Sequence, residues 1–254
     1  MANSISWKKI FNDYNVLNHD FKKSTFPITA DQIKKSCQDF KKTTEKEVRI
    51  LCKQDTRESR PQIFKDNNLF LLPTKNKFFC IIKGEGYVNI PEITTQPKIY
   101  EGKVSFNLET SKIGDSEMQH LDFAYAQSVI RTFMEDDSLV LTIRGRKYTP
   151  KFNFYVGTQL IKTSGVQTEV DGGYEGKNKI VLMEAKKSNT KNTIIRQLYY
   201  PFRQWQSIIK KPVYTLFFEH DDKTNIISIW MFSFKKVDDY NSIELVKSSK
   251  FKIK

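Results

Sequence analysis

Cysteine is scarce in this chain of 254 residues: Cys37, Cys52 and Cys80 stand far apart, and no C-x-x-C pair occurs. That argues against a zinc ribbon, and the odd count reads as reduced thiols. Histidine is equally scarce. His19, His120 and His220 form no H-x-x-x-H or H-N-H arrangement, so they read as scattered core or surface residues with no part in catalysis. No run of about 18 apolar residues is present, which argues against a membrane-spanning helix. The opening MANSISWKKIFNDYNVLNHDF has no signal-peptide stretch, so a cytoplasmic protein is expected. Gly84-Glu85-Gly86 lacks the third glycine of a dinucleotide fingerprint and reads as a turn.

What the chain does have is positive charge and aromatic rings. Lys and Arg number 42 against 29 Asp and Glu, for a net charge of +13. Such a field favours a polyanion and speeds encounter with it. An acidic membrane surface would fit the charge alone. At 13% aromatic residues the chain is not disordered. Its length suits one domain, or one domain with an accessory module. Acids vanish altogether between Glu184 and Glu219, where Lys187, Lys191, Arg196, Arg203, Lys210 and Lys211 stand.

The stretch GVQTEVDGGYEGKNKIVLMEAKK, residues 165–187, organises the rest. Val166–Asp171 alternates apolar and polar residues, and Ile180–Lys186 starts apolar and ends in charge; both read as strands. Gly172, Gly173, Gly176 and Asn178 supply turn chemistry between them. With the turn centred near Gly176–Lys179, Asp171 falls opposite Glu184 and Glu169 opposite Lys186. Three carboxylates and one ammonium then share a patch. Close like charges and burial raise carboxyl pKa values, and a divalent cation relieves that cost. Mg²⁺ takes oxygen ligands, usually one or two carboxylates with waters and substrate phosphates. A lysine beside them can orient or deprotonate a water. These are the parts for metal-assisted phosphodiester hydrolysis.

Asp171, a short hairpin and Glu184-Ala185-Lys186 resemble the PD-(D/E)XK nuclease superfamily. Gln167-Thr168-Glu169-Val170-Asp171-Gly172-Gly173-Tyr174-Glu175 and Arg196-Gln197-Leu198-Tyr199-Tyr200-Pro201 make type II restriction endonucleases the most similar members. The resemblance spans roughly residues 114–234. It implies that Asp171 and Glu184 are the two metal-binding acids and Lys186 the catalytic lysine. Val170 stands where the superfamily name has proline. Glu169 is an extra ligand, or the first acid itself if the register differs. Gln197 is expected near the scissile phosphate, and Glu117 is expected to touch the metal site through water from a preceding helix. Mg²⁺ is the implied cofactor, with Mn²⁺ able to substitute.

Elsewhere, residues 1–28 hold a short amphipathic helix through Trp7, Ile10, Phe11, Tyr14 and Leu17, a core-covering arm or a dimer contact. Thr29 or Asp31 caps a helix through Ile33, Cys37 and Phe40, and a second helix runs from Thr44 to about Lys53. Leu69–Pro73 and Phe78–Ile82 read as strands. Helix, helix and hairpin are compatible with a winged-helix-like DNA reader. Arg57, Arg60 and Gln62 are then base or phosphate contacts, or else part of a solvated loop. Gly114-Asp115-Ser116-Glu117 starts a helix, capped by Asp115 or Ser116. Leu139–Ile143 is a strand followed by basic Arg144-Gly145-Arg146-Lys147, where Arg144 and Arg146 suit phosphate or guanine. Phe152–Val156 is a strand leading towards the central hairpin. A helix from about Thr193 to Ile208 packs Ile194, Leu198, Phe202 and Trp205 on a sheet. Gln197, Tyr200 and Gln204 lie on another of its faces, and Pro201 kinks it. Lys187, Arg196 and Arg203 add candidate DNA contacts. Val213–Phe218 and Ile226–Phe234 are strands, and Val237–Lys254 is a short strand or basic edge.

The expected fold is α/β: a central mixed β-sheet flanked by helices, resembling a restriction-endonuclease core over residues 113–254, after an N-terminal α/β DNA-reading module at 1–112. The expected function is Mg²⁺-dependent cleavage of double-stranded DNA at a short specific sequence, leaving 5′-phosphate and 3′-hydroxyl ends. The resemblance implies a homodimer and a cognate DNA methyltransferase encoded alongside it. The alternatives are a repair or junction nuclease on the same core and a non-catalytic DNA-binding protein.

Overall fold

The computed structural model describes residues 3–112, 116–187 and 189–253. It is a mixed α/β fold. In the first part, helix α1 (Asn3–Asp13) turns Trp7, Ile10 and Phe11 inward, as their spacing predicts, but it ends before Tyr14, and Leu17 is exposed. Strand β1 (Phe26–Thr29) runs straight into α2 (Ala30–Ser36). Thr29 forms a capping box there: its side chain accepts from Gln32 N at 3.1 Å, and Gln32 Oε1 accepts from Thr29 N at 2.8 Å. The second expected helix is two short ones, α3 (Thr43–Lys46) and α4 (Val48–Leu51). Then come α5 (Gln62–Asp66), β2 (Leu69–Lys75) and β3 (Phe78–Lys83). The three strands make an antiparallel sheet in the order β1-β3-β2.

That small sheet is buried on both sides. Leu69, Leu71 and Ile81 face the helices and pack with Trp7, Phe11 and Phe64. Phe70, Leu72, Cys80 and Ile82 face the other way and join a core shared with residues up to Tyr240. Alternation along two short strands thus fastens the N-terminal helices to the rest of the protein.

The large sheet forms from later elements. Short strands β4 (Tyr87–Asn89) and β5 (Lys98–Tyr100) precede helices α6 (Glu117–Ala126) and α7 (Val129–Met134). Next come β6 (Val140–Tyr148), β7 (Phe152–Val156), β8 (Gln159–Thr163), β9 (Gln167–Glu175) and β10 (Ile180–Lys187). Then follow β11 (Asn192–Ile194), α8 (Arg196–Gln206), β12 (Val213–Asp221), β13 (Ile226–Phe234) and β14 (Ile243–Ile253). Seven strands pair in the order β5-β14-β13-β12-β10-β9-β6. The sheet is mixed, because β10 runs parallel to β12 and antiparallel to β9. Leu121 and Ala124 of α6 and Ile130 of α7 cover one face, over Val181, Met183, Leu216 and Phe218. Leu198, Tyr199, Tyr200 and Phe202 of α8 are buried on the other side.

Several local readings differ from the fold. Gly172 and Gly173 sit inside β9 and not in a turn, and the turn itself is closed by Gly176 N donating to Lys179 O at 2.9 Å. A side chain at Gly173 would start 2.6 Å from Ile143 Cβ on the neighbouring strand, so glycine here serves close packing. Arg144–Lys147 lies within β6, which runs on to Tyr148. β7 (Phe152–Val156) is a strand as expected, and it reaches the central hairpin through β8, with which it pairs in a separate two-stranded sheet. Thr193 and Ile194 are in strand β11, and Tyr200 and Gln204, off the apolar stripe of α8, are buried as well. The chain end from Ile243 to Ile253 is a full strand of the large sheet. Asp115 lies outside the described residues, and Ser116 caps α6 by accepting from Gln119 N.

Candidate functional site

Two strands fork at the site. β9 and β10 pair from Glu175↔Ile180 to Gly172↔Met183, and there their ladder ends. Beyond it β9 stays with β6 and β10 stays with β12. Asp171 and Glu184 are the first residues past the last rung. This is the register expected from the hairpin. The fork follows from the outer partners: β10 pairs β12 through Lys187↔His220, while β9 pairs β6 through Gln167↔Tyr148.

Asp171 bridges the opening, its Oδ2 accepting from Ala185 N at 2.8 Å. Burial pushes its carboxyl pKa up, against that hydrogen bond and the charge of Lys186. Glu184 is 8% exposed, and burial pushes it to about 7, with Asp171 and Glu117 adding to the rise. Lys186 Nζ donates to Glu184 Oε1 and to Ala185 O, the latter at 3.0 Å. Burial works against its ammonium, but Glu184, Glu117 and Asp171 outweigh it, so its pKa is raised. The expected Glu169–Lys186 pair does not form as a rung, since the ladder has ended. Glu169 meets Arg146 across β6 instead, with Arg146 Nε 3.3 Å from Glu169 Oε2.

All of these groups line one cleft of about 1000 Å³, together with Glu117, Gln197 and Arg196. Glu117 stands in the first turn of α6, and Gln197 in the first turn of α8 with its Oε1 accepting from Thr193 Oγ1 at 2.6 Å. Arg196 Nη2 lies 3.8 Å from Asp55 Oδ1. Arg49 and Lys53 from α4 and the turn after it, and Lys75 and Lys77 from the β2–β3 hairpin, line the same cleft. None of these four carries a signal in the sequence, because only the packing of the small sheet against the large one brings them there.

The other basic residues named from the sequence stand elsewhere. Arg57 Nη1 donates to Asn89 Oδ1 at 2.6 Å and Nη2 to Tyr87 O at 3.1 Å, while Nε faces Glu85. Arg60 donates to Leu69 O at 3.0 Å and lies over the Tyr87 ring. Gln62 donates to Asp66 on the surface of α5. Arg144 pairs with Asp122 of α6. Arg203 donates to Asn153 O, Val237 O and Tyr199 Oη and covers Phe152. Lys187 is exposed at the end of β10. His120 and His220, scattered in sequence, are in contact: their Nδ1 atoms are 2.9 Å apart. No spacing signal in the sequence links residues 100 apart.

The profile of one family, a domain of unknown function (DUF6997), matches residues 82–252. The chain belongs to this family. A second profile, also a domain of unknown function (DUF6996), matches residues 4–81, so the two meet within β3. No curated protein and no solved structure matches the chain. Among the described residues, no helix is long and apolar enough to cross a membrane.

Proposed function

We propose that the protein is a Mg²⁺-dependent type II restriction endonuclease that cuts double-stranded DNA at a short specific sequence. The observation that carries this reading is the fork itself: Asp171, Glu184 and Lys186 converge just past the last rung between β9 and β10, inside a cleft rimmed with cations. The donor chemistry fits a hard cation. Two carboxylates with raised pKa values, buried Glu184 and half-buried Asp171, stand together, and Lys186 is the cation in contact with Glu184. Asp171 and Glu184 would hold Mg²⁺ or Mn²⁺, with Glu117 and Glu169 close enough to the cleft to bind through water. Bound there, the ion supplies charge neutralisation at the phosphate and a more acidic water.

The chain's own residues set the remaining chemistry. Lys186, with its raised pKa, keeps its proton at Nζ and works by donating hydrogen bonds that orient the attacking water. Gln197 presents an amide towards the scissile phosphate. In-line attack breaks the P–O3′ bond and leaves a 5′-phosphate and a 3′-hydroxyl. Arg146, Arg196, Arg49, Lys53, Lys75 and Lys77 supply the positive rim that a duplex needs. The N-terminal order α1, β1, α2, α3–α4, α5, β2 and β3, with sheet order β1-β3-β2, is compatible with a winged-helix-like reader carrying one extra short helix, α5, before the hairpin, and this supports a DNA-reading role. A homodimer would match a palindromic site, and a cognate methyltransferase would protect host DNA.

The test is incubation of several unmethylated phage and plasmid DNAs with purified protein, with and without Mg²⁺, beside Asp171→Ala and Lys186→Ala. Discrete fragments that need Mg²⁺ and vanish in both variants are expected. Cutting confined to branched DNA would replace the restriction reading with a structure-specific nuclease, and binding without cutting of any substrate would sink the catalytic one.

A further inference from the structure

We propose that His120, His220 and Asp222 form a second metal site, one that takes Zn²⁺ and is separate from the acid cleft. The inference is independent of the nuclease reading. His120 lies on α6 and is 7% exposed; His220 stands near the end of β12, and Asp222 in the turn that follows. The two imidazoles approach Nδ1 to Nδ1 at 2.9 Å. Asp222 Oδ1 is 3.1 Å from His220 Nδ1 and 3.6 Å from His120 Nε2. One donor atom from each residue can be chosen so that all lie within 4.8 Å of one another.

The fold explains the meeting. Parallel pairing sets His220 beside Lys187. Alternation puts His220 on the same face of β12 as Phe218 and Leu216, which pack under Leu121 and Ala124 of α6. His120 precedes Leu121, so the helix that covers this face delivers its imidazole to the strand's end.

The donor set favours a transition-type ion over Mg²⁺. Two imidazole nitrogens and one carboxylate oxygen are a zinc-type set, whereas Mg²⁺ prefers oxygen alone. In a tetrahedral site with bonds of roughly 2.0–2.1 Å, neighbouring donors sit roughly 3.3 Å apart. The separations of 2.9 and 3.1 Å need to widen by only a few tenths of an ångström to admit the ion. The tautomer of His220 is also set for it. Asn225 Oδ1 lies 3.1 Å from His220 Nε2, and Asn225 Nδ2 donates to Ile253 O, which turns the amide oxygen towards the ring. An amide oxygen only accepts, so Nε2 carries the hydrogen and Nδ1 the lone pair.

The three residues line a cavity of about 930 Å³ that also reaches Phe106 and Gln127. It gives the ion an entry path and leaves the fourth position for water. None of the three lines the acid cleft. Glu117, one turn before His120 on α6, does line it, so Zn²⁺ at this site would brace the helix that carries Glu117.

The experiment uses the full chain stripped with chelator and titrated with Zn²⁺ by calorimetry and with Co²⁺ by visible absorption. Wild type is expected to take up one equivalent at this site, to give the strong visible bands of tetrahedral Co²⁺, and to melt at a higher temperature with Zn²⁺ than without. His220→Ala should lose the bands and the thermal shift. Asp222→Ala, at an exposed position that leaves the core intact, should bind more weakly, by at least the roughly 10-fold that loss of a mere outer-shell partner costs. Asp171→Ala, in the acid cleft, should keep the tetrahedral Co²⁺ bands of wild type. No uptake by wild type, uptake unchanged in both His220→Ala and Asp222→Ala, or loss of the Co²⁺ bands in Asp171→Ala would each overturn the proposal.

Discussion

Asp171 Oδ2 accepts a hydrogen bond from the backbone N of Ala185 at 2.8 Å, at the point where β9 and β10 part. The carboxyl therefore has a structural task beside any chemical one, and the two separate by substitution. Asp171→Asn keeps an acceptor oxygen; Asp171→Ala leaves a buried N–H without its partner. The alanine variant should be the less stable by about 1–3 kcal/mol in urea unfolding. Both should lose cleavage on the order of 1000-fold, or about 4 kcal/mol of transition-state stabilisation. Equal stability of the two variants would show that the hydrogen bond does not brace the fork.

Glu184 gives a pH dependence with a definite sign. Burial raises its folded pKa to about 7, above that of the unfolded chain. The folded state then holds a proton that the unfolded state releases. Stability from this group is fully present below the unfolded value and is lost as pH rises towards the folded one. In chelator, wild type should lose up to about 3 kcal/mol between about pH 5 and pH 8 relative to Glu184→Gln, at about 1.4 kcal/mol per pKa unit. Urea unfolding of both proteins across that range measures the difference in slope. Parallel curves would mean that Glu184 is hydrated and ionised throughout.

Much of the site was legible from local pattern. The alternation at Val166–Asp171, the apolar start at Ile180 and the turn residues fixed both the register and the meeting of Asp171 with Glu184. Short-range signals of that kind survive folding because a hairpin is a local structure. What failed was long-range. Gly172 and Gly173 look like a turn in sequence, yet they extend β9 because Ile143 of β6 packs against Gly173. Tyr200 and Gln204 fall by helical spacing on a face other than the apolar stripe. They are buried because α8 is enclosed on more than one side, with Gln204 Oε1 accepting from Thr168 Oγ1 at 2.6 Å. Arg57 and Arg203 look like surface cations but are anchored to backbone carbonyls. Sequence spacing carries no trace of such partners.

The packing at Gly173 makes a stability prediction. An added Cβ would meet Ile143 Cβ at 2.6 Å, and that atom sits next to the backbone and cannot rotate away. Gly173→Ala should cost about 1–3 kcal/mol by overpacking. Gly165→Ala, where open space surrounds the position but φ is +65°, should cost about 1 kcal/mol through backbone strain alone. Thermal or urea unfolding of both checks the ranking, and a harmless Gly173→Ala would require β6 to move.

The cleft's rim makes the last prediction, and it separates DNA binding from cutting. Arg49 and Lys75 are exposed and belong to the N-terminal part, yet they line the cleft that holds Asp171, Glu184 and Lys186. If a duplex lies across both parts, each cation that meets a phosphate releases a counterion, and the slope of log affinity against log salt falls by roughly 0.9 for each phosphate no longer neutralised. In an Asp171→Asn background, which removes cutting, Arg49→Glu and Lys75→Glu should each weaken binding and flatten that slope by about 1. Fluorescence anisotropy of a labelled duplex over a salt series measures both quantities. Unchanged slopes in both variants would place the duplex away from the N-terminal part and leave the small sheet with packing as its role.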